Sequence, residues 1–170
     1  MIHMKKLSTQ KLTLIAMFIA LTTIATMVIQ IPIPATKGYL NIGDTLLICA
    51  GLLLGKTVGG IVGGIGSAMA DLLSGYAFYA PITLVVKGLE GYLAGALNEK
   101  TKLPTIVSAI IAGLVMAVGY LLAEGIILYN FPTALASFVP NILQGIAGAI
   151  LATILYPVLK TAPIIKKMNR

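Results

Sequence analysis

Five ionisable side chains stand inside otherwise apolar stretches of this sequence: Asp44, Asp71, Lys87, Glu90 and Glu124. Two amides, Asn141 and Gln144, sit in a further such stretch. Charge in an apolar medium costs free energy, so these groups are functional candidates before any others. The chemistry they could do is limited. No G-x-x-x-x-G-K-[ST] loop, HExxH or GxSxG occurs, and no carboxylate pair has the spacing of an acid/base couple. His3 is the single histidine, among N-terminal lysines, and Cys49 is the single cysteine, in an apolar run. No metal-ligand set, disulfide or nucleophile–base pair can be assembled from them. The expectation is therefore a protein without catalytic or metal-binding residues and without its own cofactor, whose buried polar groups bind something.

The medium follows from composition. The chain has 170 residues, of which 58% are hydrophobic and 10% charged. A soluble domain is about a quarter charged, so too little polar surface is present to cover a globule in water. The chain reads as a single all-α integral membrane domain, residues 1–170, embedded in the lipid bilayer. The net charge of +7 reads as membrane topology and not as a nucleic-acid surface. Six helical segments are expected, at about 11–30, 42–54, 57–74, 82–98, 104–127 and 134–159. Pro140 and Pro157 mark kinks or ends of the sixth. With a cytoplasmic N-terminus, Lys5, Lys6, Lys11, Lys56, Lys100, Lys102, Lys160, Lys166, Lys167 and Arg170 fall on the inside and Lys37 alone outside. That asymmetry requires an even number of spans, with both termini in the cytoplasm and the chain in the cell membrane. Lys5, Lys6 and Lys11 followed by apolar residues resemble a signal peptide. The apolar stretch is too long for one, and reads as a first helix that stays.

Placed on this topology, the polar residues share a depth. At 1.5 Å per residue Lys87 lies about 9 Å and Glu90 about 13 Å below Pro81, and Asp71 and Glu124 each about 8 Å from an outer helix end. Asn141 and Gln144 lie in the first turns of the sixth helix. All fall in the outer half, which describes a pocket open outward and closed within, not a proton path through the membrane. Tyr39, Tyr76, Phe78, Tyr79, Tyr129 and Phe131 rim it, as a small flat polar ligand would need. Each residue also has a structural reading. Lys87 and Glu90, three residues apart, could neutralise each other. Asp71 could pair with Lys87 across helices. Asp44 could cap a helix or touch ligand. Asn141 and Gln144 could hold helices together, and the aromatics could form an interfacial belt. Gly59/Gly63, Gly60/Gly64, Gly91/Gly95 and Ala16/Ala20 are spaced for close helix packing.

The run YLNIGDTLLICAGLLLGKTVGGIVGGIGSAMADLLSGYAFYAPITLVVKGLEGYLAG, residues 39–95, resembles the substrate-binding (S) component of energy-coupling factor (ECF) vitamin transporters. Its LNIGD and GYAFYAP…KGLEG stretches are similar to the hydroxymethylpyrimidine or pyridoxine subgroup. The resemblance implies a six-helix bundle that captures a vitamin near the outer surface. It also implies a complex with a membrane scaffold (T) subunit and two ATPases, which would use ATP and magnesium in place of the P-loop this chain lacks. It places Ala16 and Ala20 against the scaffold, and implies a movement in the membrane that carries the pocket inward. The expected ligand contacts are Tyr39, Asn41, Asp71, Tyr76, Tyr79, Lys87, Glu90, Glu124, Asn141 and Gln144. The rival expectation is a stand-alone proton-coupled carrier using Glu90 or Glu124.

Overall fold

The computed structural model describes residues 9–168, with backbone alone for 166–168. His3, and Lys5, Lys6 and Arg170 of the charge pattern, lie outside the described residues. The chain runs α1 (Thr9–Val28), β1 (Ile31–Ile33), β2 (Gly38–Leu40), α2 (Gly43–Leu54), α3 (Lys56–Leu73), α4 (Ala80–Lys100) and α5 (Thr105–Ala123). A π-helical turn (Glu124–Leu128), α6 (Phe131–Lys160) and α7 (Pro163–Met168) complete it.

Local chemistry sets the boundaries. Gly55, at φ +93°, lets the chain turn directly from α2 into α3. Pro81 stands in the first turn of α4, where its missing N–H costs nothing. The Asn130 side chain caps α6 by accepting from Thr133 N at 2.9 Å. Pro140 and Pro157 both lie inside α6 and do not end it.

α1, the α5–π segment (Thr105–Leu128) and α6 are long and apolar enough to cross a membrane. α2, with 12 residues, is about 18 Å long and too short to span by itself. It runs through the middle of the bundle with Leu47, Ile48, Cys49 and Ala50 fully buried. Outside, Val28, Val85, Ile126, Ile127 and Leu143 are exposed, an apolar surface suited to lipid.

Glycine brings the helix backbones into contact. A Cβ built on Gly91 of α4 would lie 2.1 Å from the Gly59 carbonyl oxygen of α3, and one on Gly63 2.3 Å from the Lys87 carbonyl oxygen. Gly113 of α5 and Gly145 of α6 face each other in the same way, at 2.8 Å. Ala16 and Ala20 differ from these, since both are exposed on the outer face of α1.

Two features depart from the expected helices and loops. The segment between α1 and α2 forms an antiparallel hairpin, with Ile31 opposite Leu40, Pro32 opposite Tyr39 and Ile33 opposite Gly38. Proline is tolerated because a two-stranded sheet has only edges, and Lys37 takes a positive φ of 51° at the turn. The last residues of the fifth apolar segment form a π turn, which begins at Glu124. An apolar core of Leu14, Phe18, Leu52, Leu53, Val58 and their neighbours fills the opposite half of the bundle. The polar residues collect beneath the hairpin.

Candidate ligand-binding site

Beneath the hairpin lies a cavity bounded by α1, α3, α4, α5 and α6. Its free volume is about 30 Å³, room for about two water molecules. Tyr39, Asn41, Asp71, Tyr79, Lys87, Glu124, Asn141 and Gln144 all line it, drawn together from five separate stretches of the chain.

At the floor, the Lys87 ammonium is held between Asp44 and Glu90, with Nζ 3.1 Å from Glu90 Oε2. All three side chains are buried. Gln144 Nε2 donates to the second Asp44 oxygen at 3.0 Å, and the Asn41 backbone N–H donates to Gln144 Oε1 at 2.8 Å. Lys87 therefore faces the cavity already paired, while Glu90 lies behind it and does not line the cavity. Two readings from sequence are corrected. Asp71 is not an ion-pair partner of Lys87; Asp44 is, from 43 residues away. Nor does Asp44 cap a helix, because Ile42 holds that position and the Asp44 side chain turns inward.

At the roof, Tyr39 donates to Asp71 Oδ1 at 2.6 Å. Burial, and then the Asp71 carboxylate, push the Tyr39 phenol above its ordinary value, so it stays a donor. The Thr36 carbonyl at the hairpin turn accepts from Tyr129 at 2.7 Å and lies 2.9 Å from the Tyr79 hydroxyl. That Tyr79 hydroxyl is also 2.8 Å from Glu124 Oε1. With a single hydrogen, it donates to one of the two acceptors at a time. Ser137 donates to the other Glu124 oxygen. The π turn that starts at Glu124 is a common device for aiming such a side chain.

Several polar atoms remain open. Asp71 Oδ2 and Thr26 Oγ1 are buried and find no hydrogen-bond partner among the described residues. Asn141 lines the cavity, and no hydrogen bond of its amide is found among the described residues. An unpaired buried polar atom costs about 1–3 kcal/mol, so Asp71 Oδ2 favours an occupant that supplies a donor, while the Thr26 hydroxyl and the Asn141 amide can donate as well as accept.

The aromatic rim divides. Tyr39 and Tyr79 line the cavity, whereas Tyr76 packs behind Tyr39 with ring centroids 4.5 Å apart. Phe78 and Phe131 point outward, 46% and 47% exposed, and form no lid over the cavity. Tyr120, Thr83 and Ser137 were missed from sequence. Tyr120 lines the cavity, donates to Thr83 at 3.0 Å and presents its ring 5.9 Å from Lys87 Nζ. Helical spacing held the signal for two of them: Tyr120 lies four residues before Glu124, and Ser137 four before Asn141.

Comparison with known proteins identifies the family. The family model described as "ECF-type riboflavin transporter, S component" matches residues 6–161. The thiamine precursor transporter HmpT of Lactococcus lactis subsp. cremoris (strain MG1363) is 32% identical over 162 residues, covering 95% of this chain and 94% of that protein. A Pyrococcus woesei protein described as "Uncharacterized protein in gap 3'region" is 40% identical over 131 residues, 76% of this chain and 87% of that one. A membrane-embedded helical chain with a buried polar cavity and a match over nearly its whole length belongs to the family of ECF-type transporter S components.

Proposed function

We propose that this chain captures a small heteroaromatic vitamin or precursor, hydroxymethylpyrimidine or pyridoxine, from outside the cell for an ATP-driven importer. It does so as a six-span bundle in the cell membrane with both termini cytoplasmic. The observation that carries the reading is the cavity under the hairpin. It is flanked by Tyr39, Tyr79 and Tyr120, and lined by polar atoms that lack partners among the described residues. Asp71 and Glu124 line it, and Asp44 and Glu90 lie at its floor paired with Lys87, so four buried carboxyl groups surround the one buried amine among the described residues. Such a surplus of acceptors suits a ligand rich in N–H and O–H donors, as aminopyrimidines and pyridoxine are. The name of the L. lactis relative points to the same class of compound.

In this reading Tyr39, Tyr79 and Tyr120 enclose the ring, with Tyr76 supporting Tyr39. Asp71 and Asn141 meet its donors and ring nitrogens. Lys87, Asn41 and Glu124 contribute further contacts, Gln144 bounds the cavity with both ends of its amide already bonded, and Glu90 acts through Lys87. Entry requires the hairpin to lift, since about 30 Å³ is too little for a ring. Lifting breaks the Tyr39–Asp71 bond and the two tyrosine contacts to Thr36. Ala16 and Ala20, exposed and small, form the docking stripe for an ECF scaffold subunit, whose two ATPase partners supply the energy.

The test is uptake in vesicles. Chain reconstituted with ECF scaffold and ATPase subunits should accumulate radiolabelled hydroxymethylpyrimidine or pyridoxine when ATP is supplied. Accumulation by the chain alone, driven by a proton gradient, would refute the proposal.

A further inference from the structure

Gln144 and Asn41 face two spaces at once. One is the polar cavity of about 30 Å³; the other is a separate cleft of about 230 Å³ between the hairpin, α2 and α6. Ile29, Ile31, Leu40, Leu143 and Leu151 make the second space apolar. Gly148, one turn further along α6, brings that helix against α2: a Cβ there would lie 2.6 Å from Asp44 Cβ. The neighbouring Gly145 is pressed on Gly113 of α5. The backbone that carries Gln144 is thus fixed from two sides.

The side chain is fixed as well. Its amide oxygen accepts from Asn41 N at 2.8 Å and its amide nitrogen donates to Asp44 at 3.0 Å. Both ends of the amide are occupied by protein, so the group stands as a wall and offers little to a ligand. Two unlike spaces, one polar and small, the other apolar and several times larger, are kept apart by the Gln144 side chain and the Asn41 segment it is bonded to.

We propose that Gln144 is the specificity-determining partition of this site. It limits the ligand to a single unextended ring by closing the polar cavity against the apolar cleft. This rests on the ligand reading above. With the wall in place, an alkyl group added to the ring meets a hydrogen-bonded amide that cannot turn aside without leaving Asp44 Oδ2 and the Asn41 N–H unpaired. With the wall removed, the same group passes into the cleft and buries its methylenes there.

The test is calorimetric titration of detergent-solubilised full-length chain with hydroxymethylpyrimidine and two homologous series. One is lengthened by successive methylenes at the 2-methyl group, the other alkylated at the hydroxymethyl oxygen. In the native chain affinity falls as either series lengthens. In Gln144→Ala it rises with length in at least one series, by roughly fourfold per methylene, the transfer value of a buried CH₂. Gln144→Met, similar in length but without the amide, keeps the native order of preference though the parent binds less tightly. If Gln144→Ala keeps the native order, or if Gln144→Met loses it as fully as alanine does, the partition is refuted. Failure of the native chain to bind the parent compound refutes the ligand reading, and this inference with it. Binding of the parent with an unchanged order in Gln144→Ala refutes the partition alone.

Discussion

The Tyr39 hydroxyl donates to Asp71 Oδ1 at 2.6 Å, joining the hairpin to α3 across 32 residues of sequence. Asp71 is thereby half satisfied. Its second oxygen faces the buried interior without a partner among the described residues. One bond thus closes the roof and presents an acceptor to whatever lies beneath.

Tyr39→Phe should weaken ligand binding about tenfold to hundredfold, the value of a hydrogen bond to a charged group. The loss should appear mainly as faster dissociation, because the hairpin loses a tie to α3. Stopped-flow measurement of the two rate constants checks this. An unchanged dissociation rate would show that the bond does not hold the roof closed.

The same bond has a pH signature. The Tyr39 phenol is raised above its ordinary value of 10.0, first by burial and then by Asp71. A group whose folded value is raised contributes stability fully below the unfolded value and loses it as pH climbs from there. The Tyr39 contribution to thermal stability should therefore be constant with pH up to about pH 10 and fall above it, so that stability declines less steeply there in Tyr39→Phe. Equal slopes in the two proteins would contradict the assignment.

Lys87 sits between Asp44 and Glu90 with all three buried. Lys87→Met leaves two carboxyl groups without their cation, and should cost about 3–5 kcal/mol of stability. Adding Asp44→Asn and Glu90→Gln removes the stranded charge and should restore part of that loss. Thermal unfolding in detergent decides. A triple variant less stable than the single one would show that the amine matters for packing and not for charge.

The α3–α4 contact is equally specific. Gly91→Ala would place Cβ 2.1 Å from the Gly59 carbonyl oxygen, whereas Gly88→Ala meets nothing closer than 3.4 Å. The first should destabilise by about 1–3 kcal/mol through overpacking, and the second by much less. Similar melting temperatures would mean that the helices can part without cost.

Ala16→Leu and Ala20→Leu, on the exposed face of α1, should leave ligand binding intact and abolish co-purification with scaffold and ATPase subunits. Lost binding with intact assembly would remove these residues from the docking stripe.

What the sequence discloses is set by the range of each interaction. The Lys87–Glu90 contact is legible because three residues of helix fix it. The glycine stripes are legible because spacing alone places them on one face. Asp44 is not legible as the second partner of Lys87, since the pairing depends on how α2 threads the bundle. The hairpin is hidden by two prolines and by Lys37, which takes a conformation usual for glycine. Tyr120 is hidden for another reason: an aromatic residue in an apolar helix looks the same whether it faces lipid or a cavity. Membrane character needs only composition, while the cavity needs tertiary contacts.

The central claim is that this cavity receives a small donor-rich heteroaromatic ring. Calorimetric titration of the purified chain with hydroxymethylpyrimidine, pyridoxine, thiamine and riboflavin tests it most directly. Tight one-to-one binding of hydroxymethylpyrimidine or pyridoxine, lost in Asp71→Ala, is the predicted result; absence of binding to all four compounds would contradict the account.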